Sequence, residues 1–170
     1  PMRDPLGFPL LGSAFFAMEY QSPTNIVGTG FNILDTYPFQ VRRSTDGGTT
    51  WPTTYNQPGN GQFTSFNGMA FSGSAGVAVG DLGRIARTTN AGVSWSNTNT
   101  TGSTLRDAAG PTATSVVVVG EGRILRSANS GQAWTTVWSG SNDLRAVSFP
   151  SATTGFAAGT GGDLLRTTDG

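Results

Sequence analysis

The sequence contains neither cysteine nor histidine. That excludes a disulfide framework and a thiolate metal site, and it removes the commonest general base and metal ligand. Lysine is missing as well: all 10 basic residues are arginine, and they balance 10 carboxylates to a formal net charge of zero. A neutral chain lacks the basic footprint expected of a nucleic-acid or anionic-membrane surface, so neither is a predicted partner. Long apolar runs are scarce too. The most apolar stretch, LGFPLLGSAFFAM at 6–18, is interrupted by Gly7, Pro9 and Gly12 and is too short to span a bilayer. Apolar segments are cut by Gly, Pro, Ser or Thr before two helical turns are complete, which leaves strands and turns as the expected elements.

What the chain has in quantity is glycine, 25 residues of it, and repetition. One short phrase returns four times: STDGGTTW at 44–51, TTNAGVSW at 88–95, SANSGQAW at 127–134 and TTDG at 167–170. The spacings from Asp46 to Asn90, Asn90 to Asn129 and Asn129 to Asp169 are 44, 39 and 40 residues, a period that marks arrays with one supersecondary unit per copy. The upstream residues align too, LRDAAGPTATSVVVVGEGRILRSANSGQAW with LRAVSFPSATTGFAAGTGGDLLRTTDG. In the last unit the pattern predicts strands over 144–149, 155–158 and 163–167. The run Val116–Val119 is apolar at every position, as in a strand covered on both faces.

Four short antiparallel strands in about 40 residues is the size of a propeller blade. The predicted fold is therefore an all-β propeller with three complete four-stranded blades and one incomplete one, at about 14–55, 63–100, 104–139 and 143–170. Residues 1–13 are read as an N-terminal arm or closing strand. Three arrangements are compatible with four blades: part of a larger propeller, a small ring closed by Pro5–Ser13, or a ring shared by two chains. A β-solenoid is the alternative architecture.

The phrase S/T-x-D/N-x-G-x-x-W has a mechanical reading. The side-chain oxygen of Asp46, Asn90, Asn129 or Asp169 is expected to accept from backbone N–H groups two residues on, and Gly48, Gly92 and Gly131 to take positive φ. Trp51, Trp95 and Trp134 supply apolar plates that cover a blade and wedge it against its neighbour. Because asparagine replaces aspartate in two copies, these positions are read as structural rather than catalytic or metal-binding.

This phrase resembles the Asp-box, or bacterial neuraminidase repeat. The longer units VAVGDLGRIARTTNAGVSW and VVVGEGRILRSANSGQAW resemble the photosystem II stability and assembly factor family. That resemblance implies a non-enzymatic propeller, without cofactor, that binds a protein partner in a membrane photosynthetic complex and works in an exported compartment. The family's arginine patch would fall on the recurring Arg43, Arg87, Arg126 and Arg166, with Arg84 and Arg123 three residues earlier in two copies. Guanidinium groups suit carboxylates and peptide carbonyls. The competing reading is that each arginine lays its stem on apolar surface and pairs with an aspartate of the next blade.

No catalytic or metal-ligating residues are assigned. A sialidase-like or glycan-binding propeller is the second functional reading. It needs an exposed aromatic beside a carboxylate, and Trp138 with Asp143 is the pair to inspect.

Overall fold

The structure is a computed structural model that describes residues 13–32, 39–57, 64–100 and 102–170. The expected N-terminal arm therefore lies outside the described residues apart from Ser13.

The first unit is a sheet of β1 (Ser13–Tyr20), β2 (Ile26–Asn32), β3 (Phe39–Ser44) and β4 (Thr53–Gln57), side by side in that order. The second repeats it with β5 (Phe66–Ser72), β6 (Ala75–Gly80), β7 (Ile85–Thr88) and the two-residue β8 (Ser96–Asn97). The rest forms one five-stranded sheet of β9 (Leu105–Ala109), β10 (Val116–Ser127), β11 (Thr135–Ser148), β12 (Gly155–Gly159) and β13 (Leu164–Thr167), with β9 and β13 at its edges. All pairings are antiparallel, and no α-helix occurs among the described residues. The fold is a partial β-propeller of four-stranded blades.

The fused sheet has a local cause. In the second unit β6 and β7 are separated by a 3₁₀ turn, Asp81–Gly83, and the fourth unit has the same device at Thr160–Gly162. The third unit is one residue shorter there and turns at Gly122, with φ of 68°, so β10 covers the positions of both β6 and β7. Likewise β11 pairs first with β10, from Arg126↔Thr135 to Glu121↔Asp143, and then with β12, from Leu144↔Gly159 to Ser148↔Phe156. Extended backbone thus runs through 139–143, between the third and fourth units.

The register equates positions across units. Val27, Val77 and Phe156 sit opposite Arg43, Arg87 and Arg166. Met18, Met69 and Val147 face the next position along the second strand, at Gly28, Ala78 and Ala157. Period-two alternation then gives each blade two apolar faces. Val77, Val79 and Ile85 point forward and pack with Leu105, Ala108, Val118 and Leu125 of the third unit. Met69, Ala78 and Ala86 point back onto Val27, Phe39 and Val41 of the first. A third cluster, of Val119, Leu144 and Ala157, joins the last two units. The core lies between blades, not within them. The expected two-sided burial of Val116–Val119 is what the structure shows, with none more than 6% exposed. Each fully buried valine or isoleucine contributes about 1.5–3 kcal/mol of transfer free energy.

Candidate functional site

The box turns come first because they set the joints. Ser44, Thr88 and Ser127 each donate a hydroxyl hydrogen bond to the Oδ1 of Asp46, Asn90 and Asn129, at 2.7, 2.9 and 2.8 Å. The same hydroxyls accept from the N–H of Gly48, Gly92 and Gly131. The acidic or amide oxygen reaches further than the sequence suggests: it accepts from N–H groups three and four residues on, at Thr49 and Thr50, Ser94 and Ala133. The expected contact two residues on is thus replaced by a longer loop, closed at its near end by the Ser/Thr hydroxyl. Asp46, fully exposed, is held down at about 2 by the Thr50 hydroxyl, the Thr50 N–H and the Ser44 hydroxyl. Asp169 accepts from the Thr167 hydroxyl at 2.7 Å.

Gly48, Gly92 and Gly131 take φ of 90°, 79° and 81°, as their residue type suggests. A second requirement is visible only in three dimensions. A Cβ on Gly92 would lie 3.0 Å from Val27, and one on Gly131 would lie 2.7 Å from Val77, both in the preceding unit. The box turn is therefore pressed against the blade before it. Trp95 stands edge-on to Phe71, 5.9 Å between ring centres, and packs on the first joint's core, while Trp134 packs on the second's. Trp51 lies against Phe15 at 4.9 Å and is buried.

The recurring arginines fall on two levels. Arg43, Arg87, Arg126 and Arg166 lie at the box end of their strands. Arg84 and Arg123 lie three residues away, about 10 Å along an extended strand, at the opposite end. Arg87 donates from Nε to the carbonyl of Ser130 in the next unit's box turn at 2.6 Å. Its partner is a backbone carbonyl rather than the aspartate expected for a structural arginine. Arg43 donates to Asn25 Oδ1 at 3.1 Å, within its own unit. Arg126 is half-buried, and Arg166 is exposed. At the other end Arg84 stands 5.8 Å over the Phe39 ring, a cation–π contact between units. Arg123 donates to the Ser103 carbonyl at 2.9 Å.

That same end carries a charged group that sequence reasoning does not single out. Arg106 bridges Glu121 Oε1 at 2.8 Å and Asp143 Oδ1 at 3.2 Å, and Arg145 meets the second oxygen of Asp143 at 3.3 Å. Arg106 and Arg145 lie on β9 and on the inner half of β11, outside the phrase whose recurrence guides the eye. Asp107 laces these inner strands together, accepting from Val147 N and Ala108 N at 2.9 Å each. Burial pushes its carboxyl up, against the opposing pull of those two N–H groups. Burial also raises Glu19, with the Asp107 charge adding to the effect. Arg42 is a second omission. It is buried where the other units carry Ala86, Leu125 and Leu165, and it donates twice to Gln40 Oε1. A polar break in an otherwise apolar column was the available signal.

Trp138 pairs with Ile124 and packs on the cluster of Val119, Leu144 and Ala157, while Asp143 is engaged by the two arginines. The aromatic therefore packs between blades instead of standing exposed beside the carboxylate. A groove of about 500 Å³ lies alongside, lined by Ile124, Arg126, Trp138, Phe156, Leu165 and Arg166 among others. Among the described residues no cluster of three acidic side chains comes together in metal-binding reach, and no helix is long and apolar enough to cross a membrane.

No family model matches the chain, and no curated protein matches it significantly. Solved structures do match in fold. A structure of YCF48 bound to a D1 peptide aligns over 94% of this chain and 79% of its own, with a TM-score of 0.58 and 16% identity. YCF48 from Cyanidioschyzon merolae aligns over 92% of this chain and 51% of its own, with a TM-score of 0.63 and 15% identity. A GH74 enzyme from Niastella koreensis aligns over 93% of this chain and only 23% of its own, with a TM-score of 0.64 and 15% identity. At such identities the likeness is one of fold.

Proposed function

We propose that this chain is a non-catalytic propeller scaffold that holds a polypeptide partner, and that the partner is a reaction-centre polypeptide of a photosynthetic complex, met in an exported compartment. The observation that carries the reading is the placement of Arg84, Arg106, Arg123 and Arg145 at one end of the blades, where Arg106 and Arg145 already hold carboxylates and Arg106 reaches Asp143 across units. Paired donors on a planar guanidinium can exchange such partners for a peptide's carboxylates and carbonyls. The match to a propeller solved with a bound peptide supports the choice of partner. The packing of Trp138 away from Asp143 weighs against the glycan reading at that pair.

The test is fluorescence anisotropy with a labelled D1-type peptide. Saturable binding is expected, and Arg145→Ala, at a site whose side chain is 65% exposed, should weaken it about tenfold, the effect of one lost charged hydrogen bond. Absence of binding by the intact chain would overturn the photosynthetic partner. Release of reducing ends from a polysaccharide would overturn the non-catalytic reading.

A further inference from the structure

The tip of the turn between β6 and β7 carries a residue that its backbone disfavours. Leu82 has φ of 60° and ψ of 21°, in the left-handed region that an L-residue enters only at a cost in free energy. The third and fourth units use glycine at this turn, Gly122 with φ of 68° and Gly161 with φ of 71°. Ala91 and Ser130, the other non-glycine residues with positive φ among the described ones, are small and sit in box turns. Leu82 is therefore the one long side chain held this way among the described residues. It adds nothing to the core: it belongs to none of the three buried clusters and is 37% exposed, in a unit with neighbours on both sides.

The turn itself is fixed. Both Asp81 oxygens are engaged within the unit, Oδ2 by the Ser65 N–H at 2.9 Å and Oδ1 by Asn67 Nδ2 at 3.0 Å. The Gly83 carbonyl accepts from the Thr100 N–H at 2.9 Å, and the Arg84 N–H closes the turn onto the Asp81 carbonyl at 3.1 Å. With the Asp81 carboxylate so engaged, the charge left beside Leu82 is the half-buried guanidinium of Arg84 above the Phe39 ring. We propose that Leu82 is an apolar anchor for the polypeptide partner: it takes an apolar side chain of an extended segment, and the carboxylate next to that side chain meets Arg84. The anchor presupposes the peptide-holding scaffold proposed above and adds what that scaffold selects, an apolar residue beside an acidic one. A side chain presented on a pinned, strained turn loses little freedom on binding, which gives the strain a function.

The experiment is fluorescence anisotropy on the intact chain, Leu82→Asn and Leu82→Met, with two labelled peptides. One is the D1-type peptide, and the other is a short designed peptide in which leucine stands beside glutamate. Asparagine accepts the left-handed conformation, so Leu82→Asn should unfold in urea at or above the midpoint of the parent. Binding should weaken about tenfold in Leu82→Asn, the loss of one buried leucine contact, and stay within about threefold in Leu82→Met. Binding of the designed peptide alone, with that same sensitivity, supports the anchor and overturns the photosynthetic partner. Binding of either peptide that is unchanged in Leu82→Asn overturns the anchor and leaves the scaffold standing. A urea midpoint lowered in Leu82→Asn shows that the side chain serves the fold, and it overturns the anchor as well. Failure of the intact chain to bind either peptide overturns both.

Discussion

The second and fourth units carry nearly the same text, GRIARTTNAG against GDLLRTTDG, and fold it to equivalent strands, β7 and β13, yet they differ in what their side chains meet. Ile85 is inaccessible while Leu164 is 70% exposed, and Arg87 is anchored to the next turn while Arg166 faces solvent. The repeat therefore encodes a joint rather than a self-sufficient blade: half of each apolar pair is written in one unit and half in the next. Stability in such arrays is dominated by nearest-neighbour interfaces. The largest difference between the two units should appear on truncating these equivalent positions. Ile85→Ala is expected to cost about 2–5 kcal/mol, as deletion from a filled core does. Leu164→Ala should change stability by less than about 0.5 kcal/mol in dilute solution. Urea unfolding of both variants measures the contrast, and equal losses would show that the fourth unit's forward face is covered within a single chain.

Glycines sharpen the same comparison. Gly131 and Gly162 have nearly equal φ, 81° and 83°, but a Cβ on Gly131 would strike Val77 at 2.7 Å while one on Gly162 meets nothing within 4 Å. Gly131→Ala combines a left-handed alanine, about 1–2 kcal/mol, with overpacking at the joint, about 1–3 kcal/mol. Gly162→Ala carries only the first. If the two variants unfold at the same urea concentration, the close approach of box turn to preceding blade is not a stabilising feature.

Much of this was legible from residue types and much was not, for a consistent reason. Interactions within one hairpin are written in consecutive letters, so the box glycines, the tryptophan plates and the strand order could be read from the phrase. The left-handed conformations of Ala91 and Ser130, at φ of 54° and 56°, carry no such mark, since only the first box has a glycine there. Contacts between blades join residues some forty positions apart. Arg87 with Ser130 and Arg106 with Asp143 are of this kind. Four arginines that look identical in the repeat therefore divide into one that clamps a turn, one held by its own unit, one half-buried and one exposed. Which of them is available to a partner depends on the neighbouring blade, and that is a property of the assembled array.

The smallest expected effect separates the first box from the second. Asp46 and Asn90 occupy the same turn, but only Asp46 titrates, and its folded pKa lies near 2 against an ordinary 3.8. A carboxyl lowered by folding adds stability that is complete above the unfolded pKa and is lost as pH falls from about 4 toward 2. Asp46→Asn keeps the turn, because Asn90 holds the same N–H four residues on and donates from Nδ2 to the Ser94 hydroxyl, just where Asp46 instead accepts from Thr50. The difference in unfolding free energy between parent and variant should therefore be flat above about pH 5 and fall below pH 4. Asp169 and Asp107 are present in both proteins and cancel from that difference. The converse substitution, Asn90→Asp, should introduce the same acid-sensitive component into the second box. If Asp46→Asn leaves the low-pH slope unchanged, the hydrogen bonds from Thr50 and Ser44 do not hold the carboxylate in solution, and the two boxes are mechanically equivalent despite their different chemistry.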